Sequence, residues 1–209
     1  FLDNDGTAGA FGEYLFGPWQ HVHSLAYLTI GTGIGGGLVL DGRPYRGSTG
    51  NGVEFGHLVI DWHGRVCNCG QLGCAEAYVS GTAIGARAAQ AAAGAATTLS
   101  GPTVTAADVA AAVRAGDELA QRIWEESMQI LGRLVAQVIN AVEPDLVVLG
   151  GGVTQAGQML IEPVRRYALG GVMSPATTRT RVELTALRDH VGVLGAAAIA
   201  FDRMPSARV

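Results

Sequence analysis

Two apolar runs near the amino end, Leu25 to Ile30 and Leu38 to Leu40, flank a stretch that is mostly glycine. Short runs of this kind bounded by glycine predict two strands joined by a Gly-rich turn. Asp41-Gly42-Arg43-Pro44 reads as the next turn. Arg46 to Gly52, dense in Gly, Ser and Asn, reads as a loop leading through Val53-Glu54-Phe55-Gly56-His57 into a short strand at Leu58-Val59-Ile60. Ala75 to Ala92 is alanine-rich and predicts a helix, whereas Gly94 to Thr103 is small and polar and predicts a surface loop. Thr105-Ala106-Ala107-Asp108 has the spacing of a capping box opening a short helix. From Asp117 to Val142, Leu119, Ile123, Met128, Leu131, Leu134, Val135 and Val138 recur at helical spacing, and Pro144 closes the segment. Asp145 to Leu149 is an apolar strand running into Gly150-Gly151-Gly152, followed by a helix-like stretch to about Ala168. Arg181 to Leu187 alternates as a strand and Val191 to Phe201 is a small-residue helix. Strands interleaved with helices predict an α/β fold, and the early hairpin makes its sheet mixed rather than purely parallel.

Composition then narrows the functional classes. The 209 residues are 48% hydrophobic and only 15% charged, which places the chain among globular proteins and far from disordered ones. All 14 basic residues are arginine, so no Schiff-base lysine and no Walker A lysine exists in this sequence. A net charge of −4 offers no electrostatic footprint for nucleic acid or an anionic membrane. Tyr14 to Leu40 carries no Asp, Glu, Lys or Arg, but Pro18, Gln20, His21, His23 and six glycines exclude a membrane-spanning helix there. No signal-peptide pattern stands at the amino end, and the expected compartment is the cytoplasm.

Two features carry chemistry. Gly31-Thr32-Gly33-Ile34-Gly35-Gly36-Gly37 formally contains G-x-G-x-x-G, but a dinucleotide fingerprint must open a helix, and here Leu38-Val39-Leu40 continues as a strand. A glycine turn between strands still lets successive backbone N–H groups converge on an anion, so the surplus of glycines predicts phosphate binding, with Thr32 adding a hydroxyl. Gly150-Gly151-Gly152 is a second glycine loop after a strand, and two such loops suit a nucleotide held between them. The second feature is the thiol cluster Cys67-x-Cys69-Gly70-x-x-Gly73-Cys74. Three cysteines within eight positions make a metal site rather than a disulfide framework, and a tetrahedral structural zinc needs a fourth ligand, His57 or His63.

Asn4-Asp5, the Thr29 to Gly37 loop, Glu54-x-Gly56-His57, Cys67-x-Cys69-Gly70-x-x-Gly73-Cys74-x-Glu76 and Asp145-Leu-Val-Val-Leu-Gly-Gly-Gly152 occur in one order. That order resembles the repressor/open-reading-frame/kinase (ROK) family, which includes glucokinase-like bacterial sugar kinases. The resemblance spans essentially the whole chain, and the pairing of E-x-G-H with C-x-C-G-x-x-G-C-x-E is its specific part. It implies an actin-like, ribonuclease-H-like ATPase fold (the ASKHA superfamily) of two lobes and transfer of phosphate from ATP, with Mg2+, to a hexose. It also implies that residues 1–24 are a catalytic-loop and hinge segment from the end of a preceding lobe absent from this sequence. Residues 25–209 would then be the C-terminal lobe, with the zinc motif at 57–76 and a last helix, 191–203, packing back on that preceding lobe.

Carried over residue by residue, the resemblance makes Asp5 the base that takes the proton of the attacking sugar hydroxyl, and makes Asn4, Glu54, His57 and Glu76 ligands of the sugar. It makes Thr32, Gly33, Gly151 and Gly152 ATP-binding positions, and selects His57, with Cys67, Cys69 and Cys74, as the structural Zn2+ ligands. Partners implied are the sugar, ATP and a second copy or more of the chain, as homodimer or homotetramer. Two departures stand out: Thr7 replaces the second Asn of N-D-x-N-A, and the D-x-G-G-T phosphate motif has no counterpart, so this stretch alone is expected to bind ATP poorly. A second reading is the sugar-sensing domain of a ROK repressor, which shares the zinc and E-x-G-H motifs.

Overall fold

The computed structural model describes residues 2–101, 103–173 and 176–204. Its centre is one five-stranded sheet in the order β3-β2-β1-β4-β5, formed by β1 (Ser24–Ile30), β2 (Ile34–Leu40), β3 (Arg43–Tyr45), β4 (Leu146–Gly150) and β5 (Arg181–Leu184). The antiparallel hairpin β1–β2 closes on the pair Ile30↔Ile34, and β3 continues it antiparallel. On the other side β1 pairs parallel with β4, and β4 parallel with β5, so the sheet is mixed, as the early hairpin requires.

Strand side chains alternate between two faces, and the two faces build two cores. Leu25, Tyr27, Leu146 and Val148 point to one side, where α1 (Asp5–Phe16) and α8 (Val191–Arg203) cover them with Ala10, Phe11, Ala198 and Ile199. Ala26, Leu28, Ile30, Val147 and Leu149 point to the other, beneath α3 (Gly81–Ala92), α4 (Ala106–Arg114), α5 (Glu118–Val142) and α6 (Gln158–Leu169). Two short helices, α2 (Glu76–Val79) and α7 (Ala176–Arg179), complete the order. Asp117 caps α5 by accepting from the Ala120 amide at 2.9 Å, and Thr105 with Asp108 forms the reciprocal capping box of α4. Among the described residues no helix is long and apolar enough to cross a membrane.

Several expectations change. Within residues 1–24, where the pattern predicts no helix, one runs from Asp5 to Phe16 with Asn4 as its N-cap. Three glycines make it an improbable helix by propensity, yet each meets a neighbour that leaves no room for a side chain. A Cβ at Gly6 would collide with the Gly36 carbonyl oxygen, at Gly9 it would lie 2.7 Å from the Tyr27 ring, and at Gly12 2.8 Å from Gly195 of α8. Leu58-Val59-Ile60 is not a strand; only the single bridge Val59↔Cys74 pairs it, because the chain turns there into the cysteine loop. The helix read from 75 to 92 breaks at Ser80, whose hydroxyl accepts from the Ala83 amide and starts α3 afresh. The stretch from Gly94 is not wholly superficial: Leu99 is buried, and Thr97 and Thr98 both donate to Asp117. Arg43 and Pro44 belong to β3 rather than to a turn, β5 ends at Leu184, and a 3₁₀ turn (Gly152–Ala156) precedes α6.

Candidate functional site

The ligand atoms of His57, Cys67, Cys69 and Cys74 all lie within 4.8 Å of one another. Cys67 Sγ is 3.6 Å from His57 Nδ1, and Cys69 Sγ is 3.7 Å from Cys74 Sγ. Tetrahedral zinc with Zn–S bonds of about 2.3 Å requires sulfur–sulfur edges of about 3.8 Å, and the Cys69–Cys74 separation is compatible with one such edge. His63 is exposed and stands outside the group, its amide bonded to Asp61. Backbone bonds wrap the loop around the cluster: Ile60 N to Gly73 O, Cys67 N to Gln71 O and Ala75 N to Leu58 O. Gly70 and Gly73 both have positive φ, and a Cβ at Gly73 would strike the Asp61 backbone. Burial pushes the Cys74 thiol up to about 12 and raises that of Cys67, while the Gln71 amide lowers that of exposed Cys69. Adjacent buried thiols resist ionising together, and a bound divalent cation supplies the charge that would make them thiolates. The donor set therefore fits a closed structural Zn2+ site.

β2 gathers the predicted sugar ligands around its first residues. Gly36 is in contact with Gly6 of α1 through its carbonyl and with Val53 and Phe55 on its other side, where a Cβ at Gly36 would overlap the Val53 carbonyl and the Phe55 ring. Asn4 spends its side-chain oxygen on the Thr7 amide at 3.1 Å, leaving its amide group as the donor. Asp5 is exposed at the start of α1 and accepts from the Gly6 amide at 2.7 Å. Just before them, the Asp3 carboxylate is anchored by Arg46 at 2.8 Å and by Arg203 at 3.2 Å. Burial works against the Asp3 charge, but Arg46 and the Asn4 amide outweigh it and hold the carboxyl below its ordinary value. Val53 adopts φ 72°, an uncommon state for a β-branched residue, and Glu54 follows it, exposed, at the head of the 3₁₀ turn Phe55–His57. Glu76 opens α2 and reaches across to β2, its Oε2 accepting from Ile34 N at 2.8 Å. Asn4, Asp5, Glu54, His57 and Glu76 thus come from three separate chain segments that all border β2.

On the other side of the β1–β2 turn lies a cleft of about 950 Å³, within the size range of small-molecule sites. Gly31 and Thr32 form one wall, Gly81, Thr82, Gly85 and Ala86 of α3 another, Thr103 to Ala107 with Arg114 a third, and Gly152, Val153, Gln155 and Ala156 a fourth. Of the four predicted nucleotide positions, Thr32 and Gly152 line this cleft. Gly33 and Gly151 do not; they shape it from behind. Gly33 leaves room for the Glu76 carboxylate, and Gly151, at φ 87°, passes so close to the Ile30 backbone that no side chain fits. The glycine surplus at 35–37 also has a different cause from phosphate binding. Those residues lie inside β2, where a Cβ at Gly36 would strike Val53 and Phe55 and one at Gly37 would strike Gly6 and Ala10 of α1. The α3 and 103–107 walls are absent from the sequence reading, since glycine, alanine and threonine announce no chemistry. The available signal was Gly81 and Gly85 one turn apart on a helix, the second letting the Val104 backbone lie directly on it.

A sequence model described as the ROK family matches residues 1–203. The chain is 35% identical over 210 residues to a glucokinase of Thermotoga maritima, covering 98% of this chain and 66% of the relative. It is 31% identical over 217 residues to a putative xylose repressor of Caldicellulosiruptor sp., covering 98% of this chain and 52% of that one. Among solved structures, a ROK family glucokinase from Streptomyces griseus, crystallised with glucose and AMPPNP, superposes with TM-score 0.86 at 29% identity, over 96% of this chain and 68% of the other. A ROK family transcriptional regulator superposes with TM-score 0.85 at 32% identity, over 95% of this chain and 51% of the other. The chain thus spans between about half and two thirds of the length of the relatives it matches.

Proposed function

Because the chain belongs to the ROK family, with the actin-like ATPase fold of its kinases, we propose that it acts in ATP-dependent phosphorylation of a hexose. The observation that carries this reading is a cleft lined by both glycine loops, through Thr32 and Gly152, in a chain that also exposes the Asp5 carboxylate at the head of α1. Phosphoryl transfer asks little covalent chemistry of a protein; it asks for positioning, charge stabilisation and a base within reach of the nucleophile.

In this reading Asp5 accepts the proton of the attacking sugar hydroxyl. The Asn4 amide, Glu54, Glu76 and the His57 ring hold the other hydroxyls, and analogues lacking one of them would leave a polar group unpaired. His57 serves twice: with Nδ1 committed to the metal, the other ring nitrogen is held as a donor in a fixed direction. Thr32 and the amides of its turn face the phosphates, and Gly152, Gln155, Thr103 and Arg114 surround the rest of the nucleotide. His57, Cys67, Cys69 and Cys74 would hold Zn2+, which would supply rigidity. Mg2+, if bound with ATP, would supply charge neutralisation at its phosphates. The further features of this reading are a cytoplasmic setting and association as a dimer or tetramer.

A second reading has its own support: the xylose repressor and the transcriptional regulator match this chain as broadly as the kinases do. A sugar-sensing domain would use the same zinc loop and sugar ligands without turnover. A coupled ATP-consumption assay of the full-length protein against a panel of hexoses separates the two. Sugar-dependent turnover supports the kinase; sugar binding without any turnover supports the sensor.

A further inference from the structure

The turn between β1 and β2 is held from outside by the chain that leaves the metal cluster. Ile34, the first residue of β2, donates its amide to Glu76 Oε2 at 2.8 Å. On the far side of the turn, the Gly31 carbonyl accepts from the Gly81 amide at 2.7 Å. The carboxylate fits only because Gly33 has no side chain; a Cβ there would lie 2.6 Å from Glu76 Oε2. The other oxygen of the same carboxylate faces the cluster, with Oε1 at 3.8 Å from Cys67 Sγ. Glu76 and Gly81 belong to α2 and α3, which follow Cys74 with no intervening loop.

We propose that metal occupancy of the His57–Cys74 cluster sets the order of the Gly31–Ile34 turn, with Glu76 as the positioning residue between them. Between His57 and Cys74 the chain has no regular secondary structure beyond a 3₁₀ turn, two isolated β-bridges and the few backbone bonds beside them, Ile60 N to Gly73 O and Ala75 N to Leu58 O among them, so four ligands closing on one ion add a large share of what holds it. Closure fixes Cys74, and the short path from Cys74 to Glu76 leaves little slack, so the acceptor for Ile34 N–H is fixed with it. Gly31 and Thr32 line the large cleft, and the metal therefore organises the nucleotide side as well as the sugar side. This inference rests on reading the cluster as a zinc site.

The test is hydrogen exchange of the turn amides, read by mass spectrometry on the full-length protein in zinc-loaded and chelator-stripped forms, with Glu76→Ala and Glu76→Gln alongside and zinc content measured for each. Exchange at Ile34 is expected to rise about tenfold or more on stripping and in zinc-loaded Glu76→Ala, while exchange in β4 stays unchanged. Glu76→Gln, whose carbonyl still accepts, should keep the protection, and stripping Glu76→Ala should add nothing further at the turn. Zinc that binds and leaves without changing turn exchange overturns the coupling and spares the zinc reading. A protein that never binds zinc removes both. If stripping loosens the whole fold, the zinc-loaded Glu76 variants decide: an unchanged turn in Glu76→Ala overturns the proposal.

Discussion

Gly6 of α1 and Gly36 of β2 meet backbone to backbone, with no space between them for even a methyl group. This contact seats the start of α1, and with it Asn4 and Asp5, against the strand that also borders Glu54, His57 and Glu76. Gly6→Ala would force the helix off the sheet. The expected cost is about 1–3 kcal/mol of unfolding free energy, as for other overpacked sites, even though alanine is the better helix former. Denaturant unfolding of the full-length protein measures it, and an unchanged or raised midpoint would remove the contact from the account.

That same contact explains where sequence reading failed. α1 escaped notice because Gly6, Gly9 and Gly12 argue against a helix by propensity, and only their three-residue spacing, one face of a helix, pointed the other way. Tertiary packing decided the matter, against the Tyr27 ring and the α8 backbone, and such packing is invisible until the partner is placed. The long α5, the hairpin, the β4 strand and the Thr105–Asp108 box were legible because each rests on local periodicity or capping chemistry. So was the gathering of the three cysteines and a histidine, since thiol spacing and ligand type carry its meaning. Choosing His57 over His63 needed the fold or the family resemblance, and half of the cleft wall needed the fold alone.

Asp145 ties the start of β4 to the start of β1: its Oδ2 accepts from the amides of His23 and Ser24 at 2.8 and 2.9 Å and from the Ser24 hydroxyl at 3.0 Å. Burial works against its charge, but those donors prevail and hold the carboxyl below its ordinary value. The stabilisation is therefore complete above roughly pH 4, the unfolded value, and is lost as pH falls through the lowered folded value. Asp145→Asn should be less stable than wild type at pH 7, and the difference should shrink on acidification below pH 4. Unfolding midpoints collected across that range report it; a gap that stays constant would show that the charge is not what matters.

Elemental analysis is expected to find about one zinc per chain, matching the closed four-ligand set. Cys69 is the exposed ligand, so Cys69→Ser changes the core least and isolates the metal's contribution. The variant should lose the zinc and unfold at lower denaturant, while His63→Ala, outside the cluster, should keep both. Full zinc retention in Cys69→Ser would remove that ligand from the site.

The proposed role of Asp5, exposed at the head of α1, is that of the base of a sugar kinase. Its most direct test is the Asp5→Asn variant of the full-length protein, assayed for hexose-dependent ATP turnover alongside calorimetric sugar binding. Turnover should fall about 100- to 10,000-fold, the range that loss of a general base produces, with sugar affinity nearly unchanged. Turnover that survives the substitution at the wild-type rate would contradict the assignment.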